Sequence, residues 1–393
     1  SIPFFKGLFS LEQNPERMVW GFLFSKEQGE RRLAKTEFMR LAIQLAKAAK
    51  GQASPNPAVG AVVVKNGEIV GIGSHLKAGE PHAEVHALNM AGPKAEGSAL
   101  FVTLEPCSHY GKTPPCTDLI IRRKIKRVVV AMQDPNPNVS GKGIEMLKNA
   151  GIEVEVGVCE EEAKELNHDF YHYMISKTPF VTLKTAISID GKIATSTGES
   201  KWITSEEART DVHRYRHVHD AILVGVGTVL KDNPKLTTRL PEGGKNPIRI
   251  ILDRRLRTPL NSFVIKNCDA PTWLVVDKNA AKDRKTHYGF PHVKLIEMDN
   301  PDNLAELLRR LGELGITSLF VEGGAHVNQR FLTEKRVDQF IFYIAPMIIG
   351  GSDAPTCFEG VGIRHLKEAM KLKIQSIEQI GNDLKIIAQP RKE

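Results

Sequence analysis

The first half of the chain alternates between apolar positions at helical spacing and short, continuous apolar runs. A helix is predicted to start at Thr36 and to end before Gly51, because apolar side chains recur three and four residues apart. Two apolar runs meet at Asn66–Gly67, a dipeptide typical of a two-residue hairpin turn. Strands and helices that alternate in this way predict a three-layer α/β/α domain. The other predicted helices are 82–91, 119–123, 143–150 and 160–175, and the predicted strands are 58–64, 68–73, 99–104, 127–131 and 152–158.

The second half repeats the alternation after a break in the helical pattern. Thr178–Pro179 interrupts that pattern, so we predict a domain boundary there and two domains, 34–178 and 179–393. Thr204, with Glu207 three residues later, forms a capping box that predicts the start of a helix. This half is therefore also predicted to be α/β. Its predicted strands are 180–186, 221–226, 248–253, 272–277, 317–322 and 338–346, and a further helix is predicted at 303–314.

Composition narrows the class of protein without naming an activity. The chain has 393 residues, of which 41% are hydrophobic and 25% charged, and no apolar run approaches the ~18 residues that span a bilayer, so no membrane partner is expected. The net charge of +8 favours anionic partners such as phosphorylated small molecules. The five cysteines lack a paired spacing, which favours a reducing, cytoplasmic location. Residues 1–33 fit neither domain and are interpreted as an extension of unknown role.

Three candidate zinc ligands lie in the first domain: His82 at the start of a predicted helix, and Cys107 and Cys116 in a Pro- and Gly-rich loop. One imidazole and two thiolates leave the fourth tetrahedral position open for a water molecule that zinc activates near neutral pH. Glu84 is placed to move a proton from that water to a leaving amine. The pattern is similar to the H-x-E and P-C-x-x-C signature of zinc deaminases, except that eight residues separate these cysteines. Spacing alone therefore leaves open a helix histidine beside two unrelated buried thiols.

Longer strings of residues resemble a known family, the bifunctional deaminase–reductases of riboflavin biosynthesis. The resemblance implies a cytidine-deaminase-like domain followed by a dihydrofolate-reductase-like α/β domain. The second domain lacks a G-x-G-x-x-G fingerprint, so its nucleotide signal rests on glycines that follow two predicted strands. The matching strings are Pro55–Val64, His82–Leu88 and Thr103–Cys116 in the first domain, and Leu183–Ala194, Gly198–Thr204, Gly225–Pro234 and Val321–Gly324 in the second.

For the first domain, the resemblance implies that His82, Cys107 and Cys116 bind zinc. It also implies that Glu84 is the catalytic proton shuttle. An amide can pair with the edge of a heterocycle and a lysine can bind a phosphate, so the implied substrate residues have suitable chemistry. Taken singly, each of them also suits an ordinary turn or loop. The implied substrate-binding residues are Asn56, His75, His109 and Lys112.

For the second domain, the resemblance implies a site for NADPH and a site for a sugar phosphate. Lys184 and Asp190 are candidates for polarising the reacting end of the sugar, although a salt bridge between the two is an alternative. The implied NADPH-binding residues are Ala186, Trp202, Thr228, Asp232, Gly324, Ala325, His326, Val327, Asn328, Gln329 and Arg330. The implied substrate-binding residues are Ser200, Arg216, Leu236, Arg239 and Glu322.

Together these features imply two successive reactions on a phosphorylated pyrimidine. The first domain would hydrolytically deaminate 2,5-diamino-6-(5-phosphoribosylamino)pyrimidin-4-one. The second would reduce the ribosyl chain with NADPH to give 5-amino-6-(5-phosphoribitylamino)uracil. The expected partners are this small molecule and further copies of the chain, not nucleic acid. Three alternatives remain open: a nucleic-acid deaminase that shares His-Ala-Glu, a protein whose zinc is only structural, and a relative in which one half is inactive.

Overall fold

The computed structural model describes residues 35–110, 114–136, 139–280 and 282–391. The extension predicted at residues 1–33 therefore lies outside the described part of the chain. Two sheets, one of five strands and one of nine, organise these residues, which confirms the predicted α/β class. Buried apolar side chains form one core around the first sheet and two clusters around the second.

The first domain is built around the five-stranded sheet. Its strands are β1 (Gly60–Lys65), β2 (Glu68–Ser74), β3 (Ala99–Leu104), β4 (Arg127–Met132) and β5 (Glu153–Val156), and its helices are α1 (35–48), α2 (Ala83–Ala91), α3 (Cys116–Arg122), α4 (Lys142–Asn149), α5 (Glu160–Leu166) and α6 (His168–Ser176). The strand order is β2-β1-β3-β4-β5, with β1 antiparallel to both neighbours and β3, β4 and β5 parallel. The hairpin predicted at Asn66–Gly67 is present, and both residues have the positive φ, 51° and 83°, that a two-residue turn of this kind requires.

The single helix predicted at residues 160–175 is wrong, because α5 and α6 are separate helices that meet at Asn167. The Asn167 side chain accepts a hydrogen bond from the backbone N–H of Ala58 and donates one to its carbonyl oxygen, both at 2.9 Å. Its backbone leaves the helical region, with φ of −111° and ψ of 28°. This break joins α6 to the segment before β1, and the apolar periodicity of the sequence carries no sign of it.

The second domain is built around the nine-stranded sheet. Its strands are β6 (Phe180–Ser188), β7 (Ala221–Gly225), β8 (Ile248–Leu252), β9 (Thr272–Asp277), β10 (Val293–Met298), β11 (Ser318–Val321), β12 (Gln339–Ala345), β13 (Leu372–Ile380) and β14 (Asp383–Pro390), and its helices are α7 (Glu206–Val218), α8 (Val226–Asp232), α9 (Phe263–Lys266), α10 (Lys282–Lys285), α11 (Leu304–Glu313) and α12 (Ala325–Thr333). The order is β10-β9-β8-β7-β11-β6-β12-β14-β13. The seven strands from β10 to β12 in this order are all parallel to one another. Strand β14 pairs antiparallel with β12, and β13 pairs antiparallel with β14 at the edge of the sheet.

The second domain differs from the sequence prediction at the start of α7 and in several elements that were not predicted, among them the short helices α8, α9 and α10. The N-cap of α7 is Ser205, not Thr204: the Ser205 hydroxyl accepts a hydrogen bond from the Ala208 N–H at 3.3 Å, while the Thr204 carbonyl accepts one from Arg209. Strands β10, β13 and β14 were not predicted. Most side chains of β13 are exposed, so this strand lacks an apolar run and depends on its pairing with β14.

The parallel strands give the second domain two chemically different edges. Strands β7, β8 and β11 end at the same edge, where loops and helix N-termini can bind ligands. The first domain contacts the opposite edge, where the Ser54 hydroxyl donates a hydrogen bond to Asp220, the residue before β7. Within the ranges that the structure describes, no helix combines the length and apolar character needed to cross a membrane.

Candidate active sites

The three predicted zinc ligands converge at one end of the first domain. His82 precedes α2, Cys107 follows β3, and Cys116 begins α3. Their ligand atoms all lie within 4.8 Å of one another, with the His82 Nδ1 atom 3.5 Å from Cys107 Sγ and 3.3 Å from Cys116 Sγ. Two donors on a tetrahedral zinc ion are ~3.5 Å apart, given zinc–donor distances of about 2.0–2.3 Å. The donor set and its spacing therefore fit zinc.

Glu84 lies beside these ligands in the first turn of α2. Its side chain is buried, with 3% of the residue exposed, and it lines a cavity of about 470 Å³ together with His82 and Cys107. Burial, assisted by the negative charge of Cys107, raises the pKa of Glu84 to about 7. A carboxyl group that titrates near neutrality can both accept and return a proton, which suits acid–base catalysis.

Asn56 and His75 form a hydrogen-bonded pair on the wall of the same cavity. The His75 Nδ1 atom is 3.2 Å from the Pro81 carbonyl oxygen, and because a carbonyl can only accept, Nδ1 carries the proton. His75 Nε2 therefore accepts from the Asn56 Nδ2 amide at 3.0 Å. Burial lowers the pKa of His75, which agrees with a neutral ring. This pairing fixes the Asn56 amide and leaves its Oδ1 atom as an acceptor for a ligand.

The rest of this cavity comes from segments that are distant in sequence. His109 lines it, while Lys112 lies outside the described residues. Sequence reasoning did not identify Asp134, which follows β4 and could have been found from its place at the end of a predicted strand. It also missed Phe170 and Met174 of α6, for which the sequence carries no signal. Helix α6, the last element before the second domain, thus forms one wall of this cavity.

A larger cleft of about 900 Å³ lies at the carboxyl edge of the second sheet. Glu322 follows β11 and forms a two-pronged ion pair with Arg216 of α7, with Nε–Oε1 and Nη2–Oε2 distances of 2.6 and 3.0 Å. Lys184 of β6 lies 3.9 Å from the same carboxylate. Burial alone would raise the pKa of Glu322, but the charges of Arg216 and Lys184 hold it at about 2. Glu322 is therefore an anion that orients two cations.

The electrostatics of the cleft favour a phosphate group. Arg239 interacts with the positive charge of Arg216 and the negative charge of Glu322, and its Nη1 atom donates to the Thr237 carbonyl at 3.3 Å. Lys184 adds a third cation beside the single negative charge of Glu322, so this region has two positive charges in excess and favours an anionic substrate. Burial and the two arginines lower the pKa of His213, a residue missed by the sequence analysis, to about 4.

The cleft also fits the nucleotide cofactor that the sequence implies. Helix α12 starts at Ala325, after N-cap Gly324, so the unpaired N–H groups of its first turn lie where a pyrophosphate can bind. A Cβ atom on Gly323 would lie 2.6 Å from Val327 Cβ, so only glycine fits between strand and helix. The Asn328 Oδ1 atom is buried and has no hydrogen-bond partner within the described ranges. These features suit a dinucleotide lying across the strand ends.

Most of the predicted residues of the second domain line this cleft, and three do not. Those in the cleft are Lys184, Ala186, Ser200, Trp202, Arg216, Thr228, Asp232, Arg239, Glu322, Gly324, Ala325, His326, Val327, Asn328 and Arg330. Leu236 instead packs in the core with φ of 55°, and the half-buried Gln329 donates to Thr333 Oγ1 at 3.1 Å.

Asp190 also lies outside the cleft lining, which corrects its assignment as a catalytic partner of Lys184. Its carboxylate accepts hydrogen bonds from the backbone N–H groups of Gly350 at 2.8 Å and Ile349 at 3.2 Å, and from the Ser188 hydroxyl at 2.6 Å. The structure pairs Lys184 with Glu322 instead. Asp190 therefore fixes the turn after β6, and the proposed salt bridge with Lys184 is not formed.

The loop after β8 contributes cleft residues that the sequence analysis did not single out. Asp253 is fully buried, with one carboxylate oxygen lacking a partner among the described residues. Arg254, Arg255 and Arg257 follow it and line the cleft. Three arginines directly after a predicted strand were the available signal, because strand ends of a parallel sheet are where anionic ligands bind.

Comparison with known proteins covers both domains. Residues 33–132 match the cytidine and deoxycytidylate deaminase zinc-binding region, and residues 179–386 match the RibD C-terminal domain. The riboflavin biosynthesis protein RibD of Bacillus amyloliquefaciens is 51% identical over 357 residues, covering 90% of this chain and 96% of that protein. Its counterpart in Aquifex aeolicus strain VF5 is 51% identical over 349 residues, covering 89% and 96%.

A solved structure has the same overall arrangement. The crystal structure of a diaminohydroxyphosphoribosylaminopyrimidine deaminase/5-amino-6-(5-phosphoribosylamino)uracil reductase from Thermotoga maritima superposes with a TM-score of 0.84. It is 42% identical and covers 92% of this chain and 100% of that chain. The similarity therefore extends over both sheets and both sites rather than over one motif.

Proposed function

The chain belongs to the family of riboflavin biosynthesis protein RibD, and we propose that each of its two sites catalyses one of the two reactions of that family. The protein is a bifunctional enzyme of riboflavin biosynthesis, a zinc-dependent deaminase and an NADPH-dependent reductase. We assign deamination to residues 34–178 and reduction to residues 179–393. The observation that carries the assignment is the buried Glu84 beside three converging zinc donors, in a chain whose second domain has a separate nucleotide cleft.

In the first site, we propose that His82, Cys107 and Cys116 hold zinc. When bound, zinc supplies Lewis-acid activation of a water molecule. Glu84 takes a proton from that water and delivers it to the leaving amine of 2,5-diamino-6-(5-phosphoribosylamino)pyrimidin-4-one. The carbon–nitrogen bond breaks, ammonia leaves, and the ring carbon keeps the oxygen. Water and substrate thus give ammonia and a pyrimidinedione, with no other reactant.

The remaining residues of the first site bind the substrate in this proposal. The free Oδ1 atom of Asn56 accepts a hydrogen bond from the pyrimidine, and His75 holds that amide in place. His109 approaches the ring from the loop between the cysteines. Lys112 is proposed to bind the ribose phosphate, on the strength of its sequence position alone.

In the second site, NADPH supplies a hydride to the sugar C1′ when it is bound. We propose that the first turn of α12 binds the cofactor pyrophosphate, with Ala186, Trp202, Thr228 and Asp232 along the same cleft. Arg216 and Arg239 bind the sugar phosphate, assisted by Ser200. Lys184 polarises the reacting end of the sugar, and Glu322 holds Lys184 and Arg216 in position.

The partners proposed for this enzyme are a phosphorylated pyrimidine and copies of the same chain, not nucleic acid. Ile374 and Ile377 on the edge strand β13 are 55% and 60% exposed, which supports an oligomer that covers this edge. The sparse aromatic content of 6% and the compact cavity of the first site favour a small substrate over a polynucleotide. We propose the cytoplasm as the location.

A coupled assay tests the proposal with the purified, zinc-loaded full chain and the phosphoribosylaminopyrimidine substrate. We expect ammonia release, followed by NADPH oxidation. Glu84→Gln should retain zinc, lose about 10²- to 10⁴-fold of the deamination rate, and keep NADPH oxidation on the deaminated product. A Glu84→Gln protein that deaminates at the wild-type rate would contradict the assigned mechanism. Ammonia release without NADPH oxidation would contradict the role assigned to the second domain.

A further inference from the structure

The segment that carries Asn56 touches the reductase domain backbone to backbone. Gly51 begins this segment, and a Cβ atom there would lie 2.6 Å from the Cα atom of Val218, at the end of α7. Gly51 also has a φ of +86°, which side chains rarely tolerate. Glycine alone satisfies both constraints, so the two domains are in direct backbone contact here.

A buried carboxylate of the reductase domain anchors the next part of the segment. The Ser54 hydroxyl donates a hydrogen bond to Asp220 Oδ1. Asp220 is 6% exposed, and its Oδ2 atom accepts from the Thr317 N–H at 2.9 Å, the Thr317 hydroxyl at 2.7 Å and the Ser318 N–H at 3.2 Å. Asp220 is therefore fixed at the amino ends of β7 and β11, and Ser54 is fixed with it.

Lys245 adds a second anchor from the same domain. Its Nζ atom donates to the Gly51 carbonyl oxygen at 3.2 Å and lies 3.4 Å from Asp220 Oδ1. Lys245 is absent from the lining of both ligand cavities. Its side-chain contacts are therefore with the interdomain segment, not with a ligand.

These anchors bear on the deaminase cavity through Asn56. The Asn56 N–H donates to the Ala53 carbonyl at 2.9 Å, which closes a turn directly over Ser54. The segment is fixed again after Asn56, where Ala58 exchanges two hydrogen bonds with Asn167. Asn56 therefore lies between contacts with the reductase domain, at Gly51 and Ser54, and contacts with Asn167, at Ala58.

We infer that Asp220 and Lys245 of the reductase domain are positioning residues for the deaminase site, acting through Ser54 on Asn56. The inference rests on the proposed role of Asn56 in binding the pyrimidine. It makes the second domain a structural part of the first active site, in addition to its own reaction. A loosened segment would weaken substrate binding equally in the ground state and the transition state, so KM should change while kcat stays the same.

The test uses the full, zinc-loaded chain with substitutions on both sides of the contact. Lys245→Met and Ser54→Ala should each raise the KM for deamination about fivefold, the effect of one lost hydrogen bond, with kcat and reductase kinetics within twofold of wild type. Ser54→Thr keeps the hydroxyl and should restore the wild-type KM. Ser98→Ala is the matched control, because Ser98 is buried and donates one hydrogen bond, to Ala95, within the first domain.

A double substitution separates positioning from general damage. If Ser54 acts through Asn56, Ser54→Ala should add less than twofold to the KM of an Asn56→Ala protein. Multiplicative effects, an unchanged KM in Lys245→Met, or an equal rise in Ser98→Ala would each overturn the inference. A wild-type chain that releases no ammonia would instead overturn the proposed function, so the two failures are distinguishable. Zinc content and thermal unfolding of each variant identify any that fail to fold.

Discussion

The two active sites solve different chemical problems with different distributions of residues. The deaminase cavity of about 470 Å³ concentrates its chemistry in three zinc donors and one buried carboxyl group. The reductase cleft of about 900 Å³ spreads its contacts over the ends of several strands and the start of one helix. Hydrolysis needs groups that hold water and move protons at fixed positions, whereas hydride transfer mainly needs alignment and charge complementarity.

This difference predicts different sensitivities to substitution. In the proposed first site each donor is expected to be essential, because a zinc site with two protein ligands no longer holds the metal firmly. In the proposed second site the ligand contacts are spread over many residues, and one carboxylate, Glu322, pairs with two of the cations. Selective damage to one site, with the other site as an internal control, tests this comparison directly.

The largest effect is expected from removing a zinc donor. Cys116→Ser should lower the bound zinc well below one per chain and reduce deamination by more than ~10²-fold, because even changes outside the ligand shell cost 10- to 100-fold. Metal analysis and ammonia release measure the two effects. NADPH oxidation on the deaminated product should stay within twofold of wild type. A zinc-free protein that still deaminates would contradict the dependence of the first reaction on the three zinc donors.

A smaller effect, confined to the other site, is expected from Glu322→Gln. The change leaves Arg216 and Lys184 without their shared anion, and breaking a buried ion pair costs about 3–5 kcal/mol. We expect kcat/KM for reduction to fall about 10²-fold, with deamination unchanged. Glu297→Gln is the matched control, because Glu297 pairs with Lys285 at the exposed sheet edge, 2.7 Å away. Equal losses in both variants would show that general destabilisation, not the ion pair, matters.

The smallest effect is expected where the last helix of the first domain, α6, packs against the first strand of the second domain, β6. His168 packs against Phe180 with ring centroids 4.3 Å apart, and burial together with the charge of Lys50 lowers its pKa to about 4. An unfolded histidine titrates near ~6.5, so the unfolded chain binds the proton first and stability falls as pH drops from about 6.5 to 4.

His168→Gln removes this proton-linked loss. Between pH 7 and pH 5, the melting temperature of the variant should fall about 2–3 °C less than that of wild type, corresponding to about 1 kcal/mol. Thermal unfolding at the two pH values measures the difference. His365→Gln, on an exposed loop, is the control and should follow the wild type. An identical pH dependence of the melting temperature in all three proteins would show that His168 does not cause the loss of stability at low pH.

How far the sequence predicts each site follows from the same contrast. His82 and Glu84 are two residues apart, and Cys107 and Cys116 share one loop, so local spacing suggested a zinc site and the longer matching strings favoured it over unrelated thiols. In the reductase, Glu322 was identified from a motif. That Lys184 pairs with Glu322 instead of Asp190 depends on which distant strands lie side by side. The arginines after β8 had a local signal that was not used, namely their place directly after a predicted strand, whereas His213 lines the cleft only because α7 packs beside the strand ends.

The fold shows a similar limit. The hairpin at Asn66–Gly67 and six of the nine strands of the second sheet follow from local patterns and are confirmed. The break at Asn167 was not predicted, because it depends on hydrogen bonds to Ala58, which is 109 residues away in the sequence. Likewise, β13 is a strand only because β14 pairs with it. Long-range partners, not local propensity, decide these elements.

The attachment of the first domain to the amino edge of the second sheet has a kinetic consequence. The cofactor cleft lies at the carboxyl edge, and the five-residue strand β7 spans ~16 Å between the two edges. With the first domain attached at one edge and the cleft at the other, we expect the deaminated product to leave the first cavity before it enters the cleft. Its steady-state concentration would then be set by the ratio of the two turnover rates, and covalent fusion of the domains supplies the two catalysts in equal amounts.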